Sequence, residues 1–196
     1  MGMTVEGASA ALLHDLLEDF EKELRKQGVP VARLLRPPAS AEAVRGGFAQ
    51  LDLLAPDEAI ALFGWCNGIE PGLELALPVF EASSLEAMTR RYQTSRLGLG
   101  EWDWNPSWVQ VMGSKYGLAI SCADDPAQPP LVRAVEDSAG TQSSQTQHQV
   151  VSLCTPVTWW IDAMRRGWYR CEPDARAWDR SGPSPPPLAV DVYNMT

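Results

Sequence analysis

Between Ala10 and Gln27 the apolar residues Leu12, Leu13, Leu16, Leu17, Phe20 and Leu24 recur every three or four positions, and Asp15, Glu18, Asp19, Glu21, Lys22 and Arg25 fill the gaps. That spacing predicts an amphipathic helix with one buried stripe. Gly28 supplies a permissive position after its last turn, and Pro30 prevents its continuation. Leu34 to Ser40, with Pro37 and Pro38, reads as an extended linker, and Ala41 to Phe48 as a short helix ended by Gly46 and Gly47. Pro56 fits the first position of a further helix carrying Ile60, Leu62, Phe63 and Trp65. Asp57 and Glu58 complement the positive end of its dipole, so both read as helix-start residues. Asn67-Gly68, a pair suited to left-handed backbone, is its expected end.

Leu75 to Phe80 has the length and character of a strand. Ser83 with Glu86 forms a capping-box pattern before Leu85, Met88 and Tyr92, which recur at helical spacing. Strand-forming residues from Trp108 to Met112 and from Leu118 to Cys122 flank Gly113-Ser114-Lys115-Tyr116-Gly117, which predicts a β-hairpin, and Leu131 to Glu136 is a third strand of the same kind. Asp137 to His148 is rich in Ser, Thr and Gln and reads as a surface loop. Thr155-Pro156 opens a last helix, with Thr155 as its cap, Val157, Trp160, Ile161 and Met164 on the buried side, and Gly167 closing it. Beyond Arg180 the Ser-Gly-Pro-Ser-Pro-Pro-Pro run is a stiff extended tail. The predicted organisation is one α+β domain over residues 1–180, with helices packed on a mostly antiparallel sheet, and a Pro-rich tail over 181–196.

Composition fits a cored domain, since 196 residues with 45% hydrophobic content and eight Trp can bury a substantial interior. The net charge of -9 argues against direct nucleic-acid binding, which needs a basic face, and makes a basic partner the natural complement. Between Arg45 and Arg90 stand Asp52, Asp57, Glu58, Glu70, Glu74, Glu81 and Glu86 without one Lys or Arg. Such a run is either a solvated surface or an interaction face. No basic segment followed by an apolar run marks the N-terminus, and no stretch of eighteen apolar residues occurs, so the expectation is a cytoplasmic protein that stays off membranes. Cys66, Cys122, Cys154 and Cys171 are widely spaced and lack any CxxC pair, which points to free thiols.

Candidate chemistry is thin. His14 lies on the outer helix and His148 in the polar loop, and no serine or cysteine has a recognisable base and orienting group, so no catalytic residue is assigned. Asp124-Asp125 with Glu101 and Asp103 matches no calcium loop, and Asp124-Asp125-Pro126 reads as a turn. Gly98-Leu99-Gly100 lacks the Gly-Lys-Ser/Thr ending of a phosphate loop. No metal or cofactor site follows. Trp102, Trp104 and Trp108 with Pro106 form an aromatic knot whose acidic surroundings disfavour phosphate-bearing ligands, and core packing is its reading.

An ordered series of segments resembles the SUKH superfamily, the Smi/Knr-like proteins. It runs from Trp65-Cys66-Asn67-Gly68 through Leu77-Pro78-Val79-Phe80 and Ser83-Ser84-Leu85-Glu86-Ala87 to Trp104-Asn105-Pro106-Ser107-Trp108-Val109-Gln110-Val111. It continues with Gly117-Leu118-Ala119-Ile120-Ser121-Cys122, the strand Leu131 to Val135 and the helix with Trp159-Trp160-Ile161, and spans Ala10 to Tyr169. Ser121 stands where many relatives have an acidic residue, and Cys66 where many have an aromatic or His. The resemblance implies a Smi/Knr-like α+β fold and no catalytic set. It further implies a bacterial immunity protein that neutralises a nuclease or deaminase toxin, or a signalling or cell-wall-regulation scaffold. The Pro-rich tail after Arg180 has no counterpart in the resemblance, and its composition alone makes it the expected docking segment of the scaffold reading. For the immunity reading the expected partner is a basic toxin domain, met by Glu70, Glu74, Glu101 and Asp103.

Overall fold

A computed structural model describes residues 7–70, 82–97, 106–113, 117–122, 124–135, 149–172 and 177–179. The chain is an α+β protein. The first apolar stripe forms α1, Ala10–Lys26, whose start is fixed by the Ser9 hydroxyl accepting from the Leu12 amide at 3.2 Å. Leu13, Leu17, Phe20 and Leu24 are buried along it, and Gly28 takes φ +80 just beyond, as its position after the last turn requires. One turn, α2 (Val31–Leu34), precedes an extended stretch through Pro37 and Pro38. Leu35 pairs with Ile69 there, and the Ala39 amide reaches the Phe63 carbonyl, so the linker is stitched to the helix that follows.

The next helices correct three expectations. α3, Ala41–Ala49, runs through Gly46 and Gly47 instead of ending at them. A Cβ on Gly47 would lie 2.8 Å from Leu85 Cδ1, so this glycine admits a close approach of two helices and does not terminate one. α4, Asp57–Trp65, begins one residue after Pro56, which holds extended backbone outside it. The expected left-handed stop is present, with Gly68 at φ +89. α5, Leu85–Arg96, is capped by Ser84 and not by Ser83, because the Ser84 hydroxyl accepts from the Ala87 amide while Asn67 Oδ1 accepts from Leu85 N at 2.8 Å. Glu86 pairs along the helix with Arg90, and Ser83 instead binds β1 (Trp108–Gly113) through its amide and the Val111 carbonyl.

The hairpin forms as predicted, β1 against β2 (Gly117–Ser121), with a register irregularity between Gln110 and Met112. β3 (Val132–Val135) and β4 (Gln149–Val150) extend an antiparallel meander in the order β1-β2-β3-β4. Val109, Val111, Leu118, Ile120 and Val132 enter the main core, and Trp108 with Ala119 is buried on the opposite face. Arg133 stacks over the Trp108 ring at 4.4 Å, so the one described tryptophan of the aromatic knot is a packed residue. The remaining strands, β5 (Arg170–Glu172) and β6 (Ala177–Asp179), make a separate pair that the sequence did not suggest. The segment Leu75 to Phe80, the Asp137 to His148 loop and the tail after Arg180 lie outside the described residues.

α6, Cys154–Arg165, packs with α4 against α1. Phe20 sits between Trp65, 6.0 Å away, and Trp160, 5.6 Å away, which ties the three helices at one point. Val157, Trp160, Ile161 and Met164 are buried as predicted, and Gly167 ends the helix region at φ +69. Thr155 is not the cap. It lies inside the first turn with a buried hydroxyl, and the capping atoms come from Ser152 and, across the core, from Glu58 of α4. Glu58 accepts from Ser152 Oγ at 2.6 Å and from the Leu153 amide at 2.7 Å, so the acid expected to serve only its own helix start serves another helix as well.

Candidate protein-binding surface

The described members of the acidic run do not share one free face. Glu58 is interior, Glu86 pairs with Arg90, and Asp52 pairs with Arg96 at 3.5 Å. Glu70 is exposed beside the turn joining α2 to the linker, its amide bound to the Leu34 carbonyl and its carboxylate 4.0 Å from Arg36 Nε. Glu74, Glu101 and Asp103 lie outside the described residues.

A different set of residues is gathered by the loop between α3 and α4. Its Asp52 has φ +60, the single positive φ of a non-glycine residue among those described, and it faces Arg96 at the end of α5. On the other side of the loop, the Asp57 amide donates to the Pro126 carbonyl at 2.8 Å, which places the Asp124-Asp125 turn against the start of α4. That turn is held by Asp125, whose carboxylate accepts from the Ala127 amide at 3.1 Å, as expected of an Asp-led turn. Tyr92 Oη donates to the Pro106 carbonyl and the Cys122 amide to the Ser107 carbonyl, so the end of α5, the start of β1 and the end of β2 converge on the same region.

Two large apolar side chains remain in water here. Leu54 is 54% exposed in the α3–α4 loop, and Leu97 is 74% exposed on the residue after Arg96. Asp52, two residues before Leu54 and paired with the Arg96 that precedes Leu97, is exposed, as are Asp124 and Asp125, and Asp57 is half-buried. Apolar side chains rimmed by charge are the ordinary make-up of a protein-binding surface. The sequence carried a signal for Leu97, since it falls off the stripe formed by Leu85, Met88 and Tyr92. For Leu54 the signal is weaker, because nothing in a loop sets a period to depart from.

Among the described residues no three His, Cys, Asp or Glu side chains gather as metal ligands. His14 is exposed on α1 beside Asp15 and Glu18 of the same helix. Burial pushes the Cys66 and Cys122 thiols up to about 12, and raises those of Cys154 and Cys171, so none is poised as a thiolate. All four cysteines are free thiols. No described helix is long and apolar enough to cross a membrane. The chain matches no protein-family model and, in sequence, no curated protein.

Proposed function

We propose that this chain is a non-enzymatic, cytoplasmic protein-binding domain of Smi/Knr-like type, acting as a bacterial immunity protein against a basic nuclease or deaminase toxin. The observation that carries the reading is the surface just described, where Leu54 and Leu97 are exposed among Asp52, Asp57, Asp124 and Asp125. Binding energy concentrates in a few apolar or aromatic anchors, while surrounding charge sets encounter rate and partner choice. A nuclease must be basic to hold its substrate, and a surface that keeps Asp57, Asp124 and Asp125 after Asp52 pairs with Arg96 is complementary to such a face. Glu70, Glu74, Glu101 and Asp103 remain proposed contacts. Leu97 and Pro106, the described residues flanking the stretch that contains Glu101 and Asp103, both belong to this region.

The test is capture of the partner from native cells at low salt, elution with rising salt, and co-expression of the captured protein with wild-type or variant chain. Release by salt of one basic toxin, protection by the wild type, and loss of protection with Leu97→Asp or with Asp124→Lys plus Asp125→Lys are the expected results. A toxin equally lethal in the presence of the wild-type chain refutes the immunity reading. Recovery of a cell-wall or signalling protein in its place would establish the scaffold alternative.

A further inference from the structure

Besides Leu54 and Leu97, the large apolar side chains left exposed among the described residues are Leu131 at 44% and Val151 at 43%. β3 and β4 place them together. Val132 pairs with Val150 in antiparallel register, so Leu131 and Val151 stand opposite each other one step further along. Val132 is fully buried and Val150 packs against the main core. Strand alternation therefore turns Leu131 and Val151 to the other face of the sheet, that of Trp108 and Ala119. At the roughly 5 Å spacing of cross-strand neighbours, one apolar side chain of a partner can touch both.

Acids are carried by the connections next to this pair. The Ser121 amide donates to the Leu131 carbonyl at 2.8 Å and the Leu131 amide to the Ser121 hydroxyl at 2.9 Å, which closes the β2–β3 connection at its base. That connection bears the exposed Asp124 and Asp125. Val151 precedes Ser152, whose hydroxyl donates to Glu58 in the first turn of α4, and Asp57 of the same turn donates its amide to the Pro126 carbonyl. Arg133, the described cation on this sheet face, lies over the Trp108 ring, which leaves Asp57, Asp124 and Asp125 against one guanidinium. We propose that Leu131 and Val151 form a docking site for a segment of a basic protein, an apolar side chain flanked by Lys or Arg. Charge selects this occupant over two others. A second copy packed here about a twofold axis would set Asp124 and Asp125 against the same acids. The chain's own segment 181–196 has Asp191 and no Lys or Arg, so it brings no complementary charge. The proposal rests on the protein-binding reading of this region and holds whether or not the partner is a toxin. It adds an apolar anchor on the sheet to those at Leu54 and Leu97.

The probe is a blocked peptide, Lys-Leu-Lys-Leu-Lys, titrated into the isotope-labelled full chain and followed by NMR, with Lys-Ser-Lys-Ser-Lys and Glu-Leu-Glu-Leu-Glu as controls. The expected result is movement of the Leu131 and Val151 methyl signals and of the Asp124 and Asp125 amide signals with the first peptide, weakened by salt. Both controls should bind at least about tenfold more weakly. Leu131→Ser and Val151→Ser, both at exposed positions, should each weaken binding about tenfold while the remaining signals keep their wild-type positions. No movement, movement confined to Leu54 and Leu97, or an equal response to the Lys-Ser peptide would overturn the proposal. So would a concentration-dependent dimer that moves the Leu131 and Val151 signals without peptide, or contacts from Val190 to Met195 onto those methyls in the free chain. Binding of the peptide at Leu131 and Val151 beside a toxin that stays lethal would remove the immunity reading alone.

Discussion

Truncation of Phe20 to alanine should remove a large part of the stability of this protein. The ring is 1% exposed and lies 6.0 Å from Trp65 on α4 and 5.6 Å from Trp160 on α6. Phe→Ala in a core costs about 3–5 kcal/mol, with the spread set by how far the neighbours collapse into the space. Collapse is poor here, because two indole rings on different helices cannot both shift without moving helix axes. Each tilted aromatic contact adds about 0.5–1.5 kcal/mol beyond area burial, which pushes the expected loss to the upper half of the range. A loss of about 4 kcal/mol against a usual total of about 5–15 leaves a marginal domain. At a urea m-value of about 2 kcal/mol/M, the denaturation midpoint followed by circular dichroism falls by about 2 M. Phe20→Leu, which keeps most of the volume, should lose less than half as much. A shift below about 0.5 M for Phe20→Ala would show that the three helices are not joined through this ring, and would refute the packing argument.

Glu23 makes stability depend on pH in the acid range. Burial alone would raise its carboxyl, but hydrogen bonds and charge from Lys26 and Arg165 outweigh that and hold it below its ordinary 4.5. Its contribution is therefore present at neutral pH and lost as pH falls through the depressed value, so Glu23→Gln should lower the urea midpoint at pH 7 and converge with the wild type in acid. Equal differences at pH 7 and in acid would refute the ionic origin. Gly68→Ala should cost about 2 kcal/mol or more by urea unfolding, since φ is +89 and the new Cβ would lie 2.7 Å from the Ser84 amide nitrogen. A neutral effect would mean that the turn into α5 relaxes freely. Leu97→Ala, at 74% exposure, should change stability by no more than about 0.5 kcal/mol in the same assay, which separates the surface reading from a core role.

Periodicity made α1, α5 and the hairpin legible, because each buries one face and therefore writes its spacing into the chain. Caps were less legible. Ser83 and Ser84 are equally good capping residues in isolation, and the choice between them is made by Asn67, which bonds Leu85 from a distant turn, and by β1, which engages the Ser83 amide. Thr155 failed for a related reason: a helix start can be capped from another helix, and Glu58 is 95 residues away from the amide it caps. Gly46 and Gly47 misled because a glycine that admits a neighbouring helix looks the same in sequence as one that stops a helix. The candidate surface was legible only in pieces. Asp52, Asp57 and the Asp124-Asp125 pair were visible as acids, but the contacts that bring them together join segments far apart in the chain.

The placement of Phe20 between Trp65 and Trp160 also sets an order of events during synthesis. α1 leaves the ribosome first, and α4, with Trp65, follows soon enough to shield one side of it. Trp160 is made 95 residues after Trp65, which at about 5–20 residues per second is a delay of about 5–20 s. Throughout that interval the side of α1 destined for α6 has no native cover. The nascent chain thus carries a half-dressed apolar helix for far longer than helix formation or collapse takes, and a holding chaperone that recognises short leucine-rich segments would meet its target in Leu13 to Leu24.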